Sequence, residues 1–189
     1  QPDLPPADNT GEATRRVAGA LAGGALRFDG VDDFVLVAHG ASLSLQELTL
    51  EAWAMIEDPG VNRAALVNKG ANFGNYTLAV RGSDAVSGNQ VEYVHALPEG
   101  NYNCCGAEPP PVVYGDWIHL AIAISGETAR LYVNGLLVAS DAGAQPPVEN
   151  ETSLFLGRLL GGDPAFMKGV LDEVRIWNVA RAGEDIAAT

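Results

Sequence analysis

FMKGVLDEVRIW, residues Phe166 to Trp177, reads as one long β-strand. Strict alternation puts Val170, Asp172, Val174 and Ile176 on one face and Leu171, Glu173, Arg175 and Trp177 on the other. Asp172 is the anomaly, an aspartate on the parity of three β-branched apolar residues. A buried carboxylate is costly unless it is paired, hydrogen-bonded or bound to a metal. A strand this apolar also needs partners, and most of the upstream chain supplies short strands.

Regular patterning starts near Ala25, where Leu26 and Phe28 alternate up to the Asp29-Gly30 turn signal and Phe34 and Leu36 follow. LTLEAWAMI (48–56) sets Leu48, Leu50, Ala52, Ala54 and Ile56 against Thr49, Glu51, Trp53 and Met55. AALVNKG (64–70), NYTLAVRG (75–82) and NQVEYVHAL (89–97) read as further strands, the last placing Val91, Tyr93, His95 and Leu97 together. DWIHLAIAI (116–124) is apolar on both faces, which predicts a central strand covered on both sides. ARLYVNGLLVAS (129–140) is a hairpin about Asn134-Gly135, the favoured two-residue turn. SLFLGRLL (153–160) precedes the strand at 166–177, and RAGEDIAAT at the end predicts a helical turn. Many short strands with turn residues between them mean an all-β fold of two packed antiparallel sheets. Residues 1–22, rich in proline and small residues, read as a tail or linker, and 23–189 as one domain.

A formal net charge of −13 with only 11 Lys plus Arg, unclustered, argues against nucleic acid. No apolar run is long enough to cross a bilayer as a helix. The chain starts at Gln1 rather than Met, with no hydrophobic leader after it. That fits a processed, secreted protein, although a cut made for other reasons would look the same. The two cysteines are neighbours, Cys104 and Cys105, in the polar loop PEGNYNCCGAEPPP (98–111). Consecutive Cα atoms lie about 3.8 Å apart, below the ordinary disulfide range of about 4.4–6.8 Å. A bond between them would be a strained ring held by its surroundings. Free thiols or a bridge to another chain are the alternatives.

ALRFDGVDDFVLV, LTLEAWAMI, LVNKG, GDWIHLAIAI, ARLYVNGLLVAS, LFLGR and GVLDEVRIWNVA stand in an order that resembles the laminin-G-like, concanavalin A-like jelly roll of secreted bacterial proteins and pentraxins. The resemblance spans Gly24 to Ile186 and implies a two-sheet jelly-roll β-sandwich. It also implies a structural Ca²⁺ where the first strand meets the last, at Asp29, Gly30 and Asp172. A hard cation with oxygen ligands would answer the Asp172 anomaly; the alternative is that Asp29 bonds its own turn amides and Asp172 caps a loop. The fold hosts lectins, adhesion modules, glycosidases and spacers, so function rests on the sites.

Glucanases of similar fold carry two glutamates and an aspartate alternating on one strand, and that spacing is missing here, so a non-catalytic module is expected. His119 in WIH reads as core, His39 as a solvated turn residue, and Trp53, Trp117 and Trp177 as core rather than sugar platforms. Tyr93 and His95, leading into Asn101, Tyr102, Asn103, Cys104 and Cys105, offer amides and phenols beside an apolar pad, a combination that suits a sugar ring. Lys69, Asn72 and Phe73 in one loop, with Arg158, Asp163 and Phe166 around another, form a second cluster for an acidic or neutral glycan. Snorkelling cations over edge strands are its bland counterpart. Asn75-Tyr-Thr77 and Asn150-Glu-Thr152 fit the glycosylation pattern. The expected protein is a secreted, calcium-braced module that binds a glycan through the concave sheet and its loops. Protein–protein adhesion or a spacer role is the alternative, and a hydrolase the third.

Overall fold

The computed structural model describes residues 14–16, 24–60, 63–71, 74–84, 88–104, 111–161 and 165–189. Among them are β1 (Thr14–Arg16), β2 (Leu26–Asp29), β3 (Phe34–Val37), β4 (Leu48–Ile56), β5 (Arg63–Lys69), β6 (Tyr76–Arg81), β7 (Val91–Leu97) and β8 (Gly100–Cys104). There follow β9 (Trp117–Ser125), β10 (Thr128–Val133), β11 (Leu136–Asp141), β12 (Leu154–Leu156), β13 (Arg158–Leu159), β14 (Ala165–Phe166), β15 (Lys168–Trp177) and the short helix α1 (Gly183–Ala187).

The strands build a seven-stranded sheet in the order β1-β3-β12-β5-β6-β7-β8 and a six-stranded sheet in the order β11-β10-β9-β4-β15-β2. β13 and β14 form a separate small pair. Within the segment expected as a tail, Thr14–Arg16 pairs antiparallel with Phe34–Leu36 and extends one sheet edge.

Alternation decides what lies between the sheets. Leu48, Leu50, Ala52, Ala54 and Ile56 of β4 face Leu66, Leu78 and Val80 of the opposite sheet in one continuous core. Ile118, Leu120, Ile122 and Ile124 of β9 join them. The other face of β9 is covered as the sequence predicts: Ala121 and Ala123 pack under Tyr132 and Ile186 of α1. Asn134 and Gly135 both adopt positive φ, 49° and 74°, which joins β10 to β11 through the expected tight turn. Gly169 lets β15 lie close on β4, since a Cβ there would sit 2.2 Å from the Met55 carbonyl oxygen.

Candidate functional site

β15 does not run straight. Asp172 pairs with Trp53 of β4 while Arg175 pairs with Glu51, so three steps on one strand match two on the other. This is a β-bulge, with Glu173 at φ 49°. The extra residue reverses the parity beyond it. Val170 and Asp172 therefore sit on the outward face, while Val174 and Ile176 pack on the core. Asp172 is half-buried, and its Oδ1 accepts from the Glu173 amide at 2.8 Å. The anomaly read from alternation is corrected: the bulge re-aims the aspartate, and no metal is needed to explain it.

The register also separates Asp172 from Asp29. Asp29 stands opposite Lys168, which leaves Asp172 four residues further along β15, about 13 Å away. The expected ligand set Asp29, Gly30 and Asp172 is thus not brought together. Asp29 Oδ1 instead accepts from the amides of Val31 (2.7 Å) and Asp32 (3.3 Å). These bonds, Val31 foremost, hold its carboxyl below the usual range. What the turn does assemble is a different acidic trio. Carboxylate oxygens of Asp29, Asp32 and Asp33 all lie within 4.8 Å of one another.

Four expected ligand contacts, Lys69, Tyr93, His95 and Tyr102, turn to the interior. Lys69 is fully buried. Its Nζ donates to the Asn150 carbonyl (3.0 Å), Asn150 Oδ1 (3.1 Å) and the Thr152 carbonyl (2.9 Å), and lies 3.4 Å from His39 Nδ1. It is an anchor for the 150–152 loop, and His39 is half-buried beside it rather than solvated. Asn75 is buried too, so its glycosylation pattern presents no free amide, while Asn150 is half-buried, its Oδ1 accepting from Lys69 and Thr152. Tyr93 and His95 are fully buried on the core side of β7. His95 Nδ1 lies 3.2 Å from the Tyr93 hydroxyl, and its ring stacks on Tyr102 at 4.8 Å. Desolvation pushes the His95 imidazole down to about 4, against a smaller opposing pull from the Gln145 backbone. Tyr102 turns inward as well, its hydroxyl donating to Asp141 at 2.9 Å.

Of the remaining expected contacts, Asn101, Asn103 and Arg158 lie on the outer face of the seven-stranded sheet, at two places. Asn101 and Asn103 are exposed on edge strand β8. No cysteine is free among the described residues; Cys104 is half-buried against the core, and Cys105, Asn72, Phe73 and Asp163 lie outside those residues. Arg158 sits three strand spacings away, roughly 14 Å, beside β5. Its guanidinium lies over Phe34 (4.9 Å), Phe166 (5.2 Å) and Phe155 (5.6 Å), and its Nε is buried without a hydrogen-bond partner. Between these two places the face holds polar pairs. Asn68 Nδ2 donates to Thr77 Oγ1 at 2.8 Å, and Arg63 and Arg81 donate to the buried Glu92 at 2.6 and 2.9 Å.

The outer face of the six-stranded sheet carries an arrangement that sequence reasoning missed. Glu51 is fully buried, and its Oε1 accepts from Trp177 Nε1 and from Arg181 Nη1, both at 2.6 Å. Its Oε2 has no hydrogen-bond partner and lies 3.7 Å from the equally unpartnered Nε2 of His119. The tryptophans read as core lie here instead: Trp117 is 45% exposed, Trp177 38% exposed, and Trp53 is half-buried against the His119 ring. The signal was available, because Thr49, Glu51, Trp53 and Met55 alternate opposite an unbroken apolar set.

The architecture is similar to several solved structures. Domain 4 of the extracellular arabinanase AbnA from Geobacillus stearothermophilus, in complex with arabinotriose, is 22% identical, covers 94% of this chain and 81% of its own, and has a TM-score of 0.69. The heptameric SAP-like pentraxin from Limulus polyphemus is 12% identical over 86% of this chain and 79% of its own, with a TM-score of 0.63. The binding domain of botulinum neurotoxin serotype G is 10% identical over 95% of this chain and 46% of its own, at a TM-score of 0.68. No curated protein matches the sequence. Residues 29–187 match the family described as the concanavalin A-like lectin/glucanases superfamily, and the chain belongs to it.

Proposed function

We propose that this domain is a secreted, non-catalytic module that recognises a glycan on the outer face of its seven-stranded sheet. Arg158 is the centre of that reading, with Asn101 and Asn103 at the far edge. The other expected contacts Asn72, Phe73 and Cys105 lie outside the described residues. The observation that carries it is the environment of Arg158. An arginine held over three phenyl rings, with a buried Nε unpartnered and no carboxylate bonded to it among the described residues, is pre-organised for an oxygen-bearing guest. The likeness to a domain crystallised with arabinotriose supports carbohydrate as the ligand class. In the same reading the trio Asp29, Asp32 and Asp33 holds a structural Ca²⁺. Three carboxylates within 4.8 Å fit a hard cation that takes oxygen ligands.

A single site of this kind binds with a Kd on the order of 0.1–1 mM and gains strength through multivalency. Glycan arrays followed by calorimetry test it: Arg158→Ala should abolish binding to the array hit while leaving Tm within a few degrees. Failure of every polysaccharide class to bind at millimolar concentration would sink the reading. A protein partner is the second reading, favoured by the exposed apolar residues Val113, Leu136 and Leu137. Hydrolysis has less to support it, because Glu51 is committed to Trp177 and Arg181.

A further inference from the structure

On the outer face of the six-stranded sheet, Trp53, Trp117, His119, Asn134, Ile186 and Thr189 line a cleft of about 410 Å³. That volume falls within the range of small-molecule sites, which combine apolar walls with a few convergent polar groups. None of these six side chains carries a formal charge at neutral pH, because burial lowers the His119 pKa and keeps its ring neutral.

Trp117 supplies one wall. A strand indole left 45% exposed keeps a large apolar surface in water, which a guest would relieve. Trp53 is held in place by its ring contact with His119, 5.3 Å between centroids. The floor keeps unspent hydrogen-bonding capacity in His119, whose buried Nε2 has no partner among the described residues; the equally unpartnered Oε2 of Glu51 lies 3.7 Å behind it, outside the lining. That separation is too long for a direct bond, and buried polar groups left unpaired call for an explanation. The Asn134 and Thr189 side chains add polar edges to the apolar walls.

We propose that this cleft is a second binding site, for a neutral sugar ring of a glycan chain. The ring's C–H face stacks on Trp117, and its hydroxyls meet Asn134, Thr189 and the polar floor. Indoles provide rigid apolar area with little entropy to lose, and hydroxyl edges match amide and hydroxyl partners. The site lies on the opposite sheet from Arg158 and does not rest on the function proposed above.

The test reads the indole N–H signals of the three tryptophans in ¹⁵N-labelled protein, assigned by single Trp→Phe substitutions. Arabinotriose, xylotriose, maltotriose, cellotriose and mannotriose are each titrated to about 10 mM, roughly ten times a Kd on the order of 1 mM. The expected result is a saturable shift of the Trp117 and Trp53 signals with at least one sugar. Trp117→Ala should weaken that binding at least about tenfold, and Arg158→Ala should leave it unchanged. Ala187→Arg, an exposed change at the cleft wall, must give the same loss and covers the case in which Trp117→Ala misfolds. No indole shift with any of the sugars overturns the proposal. So does wild-type affinity in folded Trp117→Ala, or loss of the shifts in Arg158→Ala. Array binding lost in Arg158→Ala while the indole shifts persist supports two separate sites; array binding with no indole shift leaves the first site standing and removes this one.

Discussion

Mild acid should destabilise this domain through His95. Burial between Tyr93 and Tyr102 holds the imidazole neutral, with its pKa pushed down from 6.5 to about 4. Above about pH 6.5 both folded and unfolded chains carry the neutral ring, and it contributes nothing to pH dependence. Below that, the unfolded chain takes up a proton that the folded chain refuses, so stability falls until the folded value near 4 is reached. At about 1.36 kcal/mol per unit, the full loss is about 3 kcal/mol, of which about 2 kcal/mol is gone by about pH 5. For a domain of this size that lowers Tm by about 4–8 °C. Urea unfolding at about pH 7.5 and pH 5 measures it, a window that lies above the ordinary carboxylate range. His119 is also held neutral, by burial first, with the Glu51 charge opposing and Arg175 and Arg181 assisting. It therefore adds a slope of its own. The His95→Phe variant isolates the term of interest: its pH slope should be shallower than wild type by about 2 kcal/mol over the window. An identical slope in the variant, or a wild-type midpoint that does not move, would refute the reasoning.

Lys69→Met should lower stability by about 2–4 kcal/mol, because it strands the Asn150 and Thr152 carbonyls that the ammonium satisfies. Calorimetry should show glycan affinity unchanged, since the side chain reaches no surface. Glu92→Gln should cost about 2 kcal/mol in urea unfolding by removing the buried negative charge to which Arg63 and Arg81 donate, a discounted figure because both arginines are partly exposed. Burial raises the Glu92 pKa, but the bonds from Arg81 and Arg63 outweigh it and leave the carboxyl low. The stability it adds is thus present above the unfolded value near 4.3 and disappears as pH falls through the folded one. Calcium at a hundredfold excess over its Kd should add about 2.7 kcal/mol, and Asp33→Ala should erase that gain in a thermal melt. Thiol alkylation of the native chain should fail until a reductant is added, the result that the proposed Cys104–Cys105 ring requires.

The fold was legible wherever alternation and turn chemistry agreed. β4 puts five apolar residues into the core as its pattern demands, and Asn134-Gly135 turns where two positive φ angles are needed. The strand that looked most decisive misled, for a local reason. No glycine marks the bulge, and Glu173 adopts a backbone conformation that glutamate rarely takes. Parity counted across it therefore assigned Asp172 to the wrong face; the calcium ion beside it was implied by the family resemblance, and the miscount lent it a physical argument that the bulge removes. β1 escaped notice for a simpler reason: three residues are too few to alternate visibly.

The candidate sites were less legible because chain position says which face a residue shares, not what covers it. Tyr93 and His95 do share a face, as read, but that face is the core. A lysine before a glycine in LVNKG looks like a loop cation, and only the carbonyls of residues 81 and 83 positions away turn it into a buried anchor. Arg158 reads as a candidate with Phe166 close to it in sequence; Phe155 is not read as its neighbour, and the third ring, Phe34, arrives through the pairing of β12 with β3. The tryptophans went wrong in the opposite sense. A large apolar side chain in a strong strand argues for burial, yet the sandwich has only one core, and the face opposite an unbroken apolar set must look outward. Trp53 and Glu51 lie on that face of β4, and Trp117 and His119 on the same face of β9, so any indole there stays partly in water unless something packs on it. Ile186 of α1 does so over Ala121 and Ala123. Trp117 keeps 45% of its surface exposed, which makes the six-stranded sheet, unremarked in the sequence, the side where a guest has most apolar surface to gain.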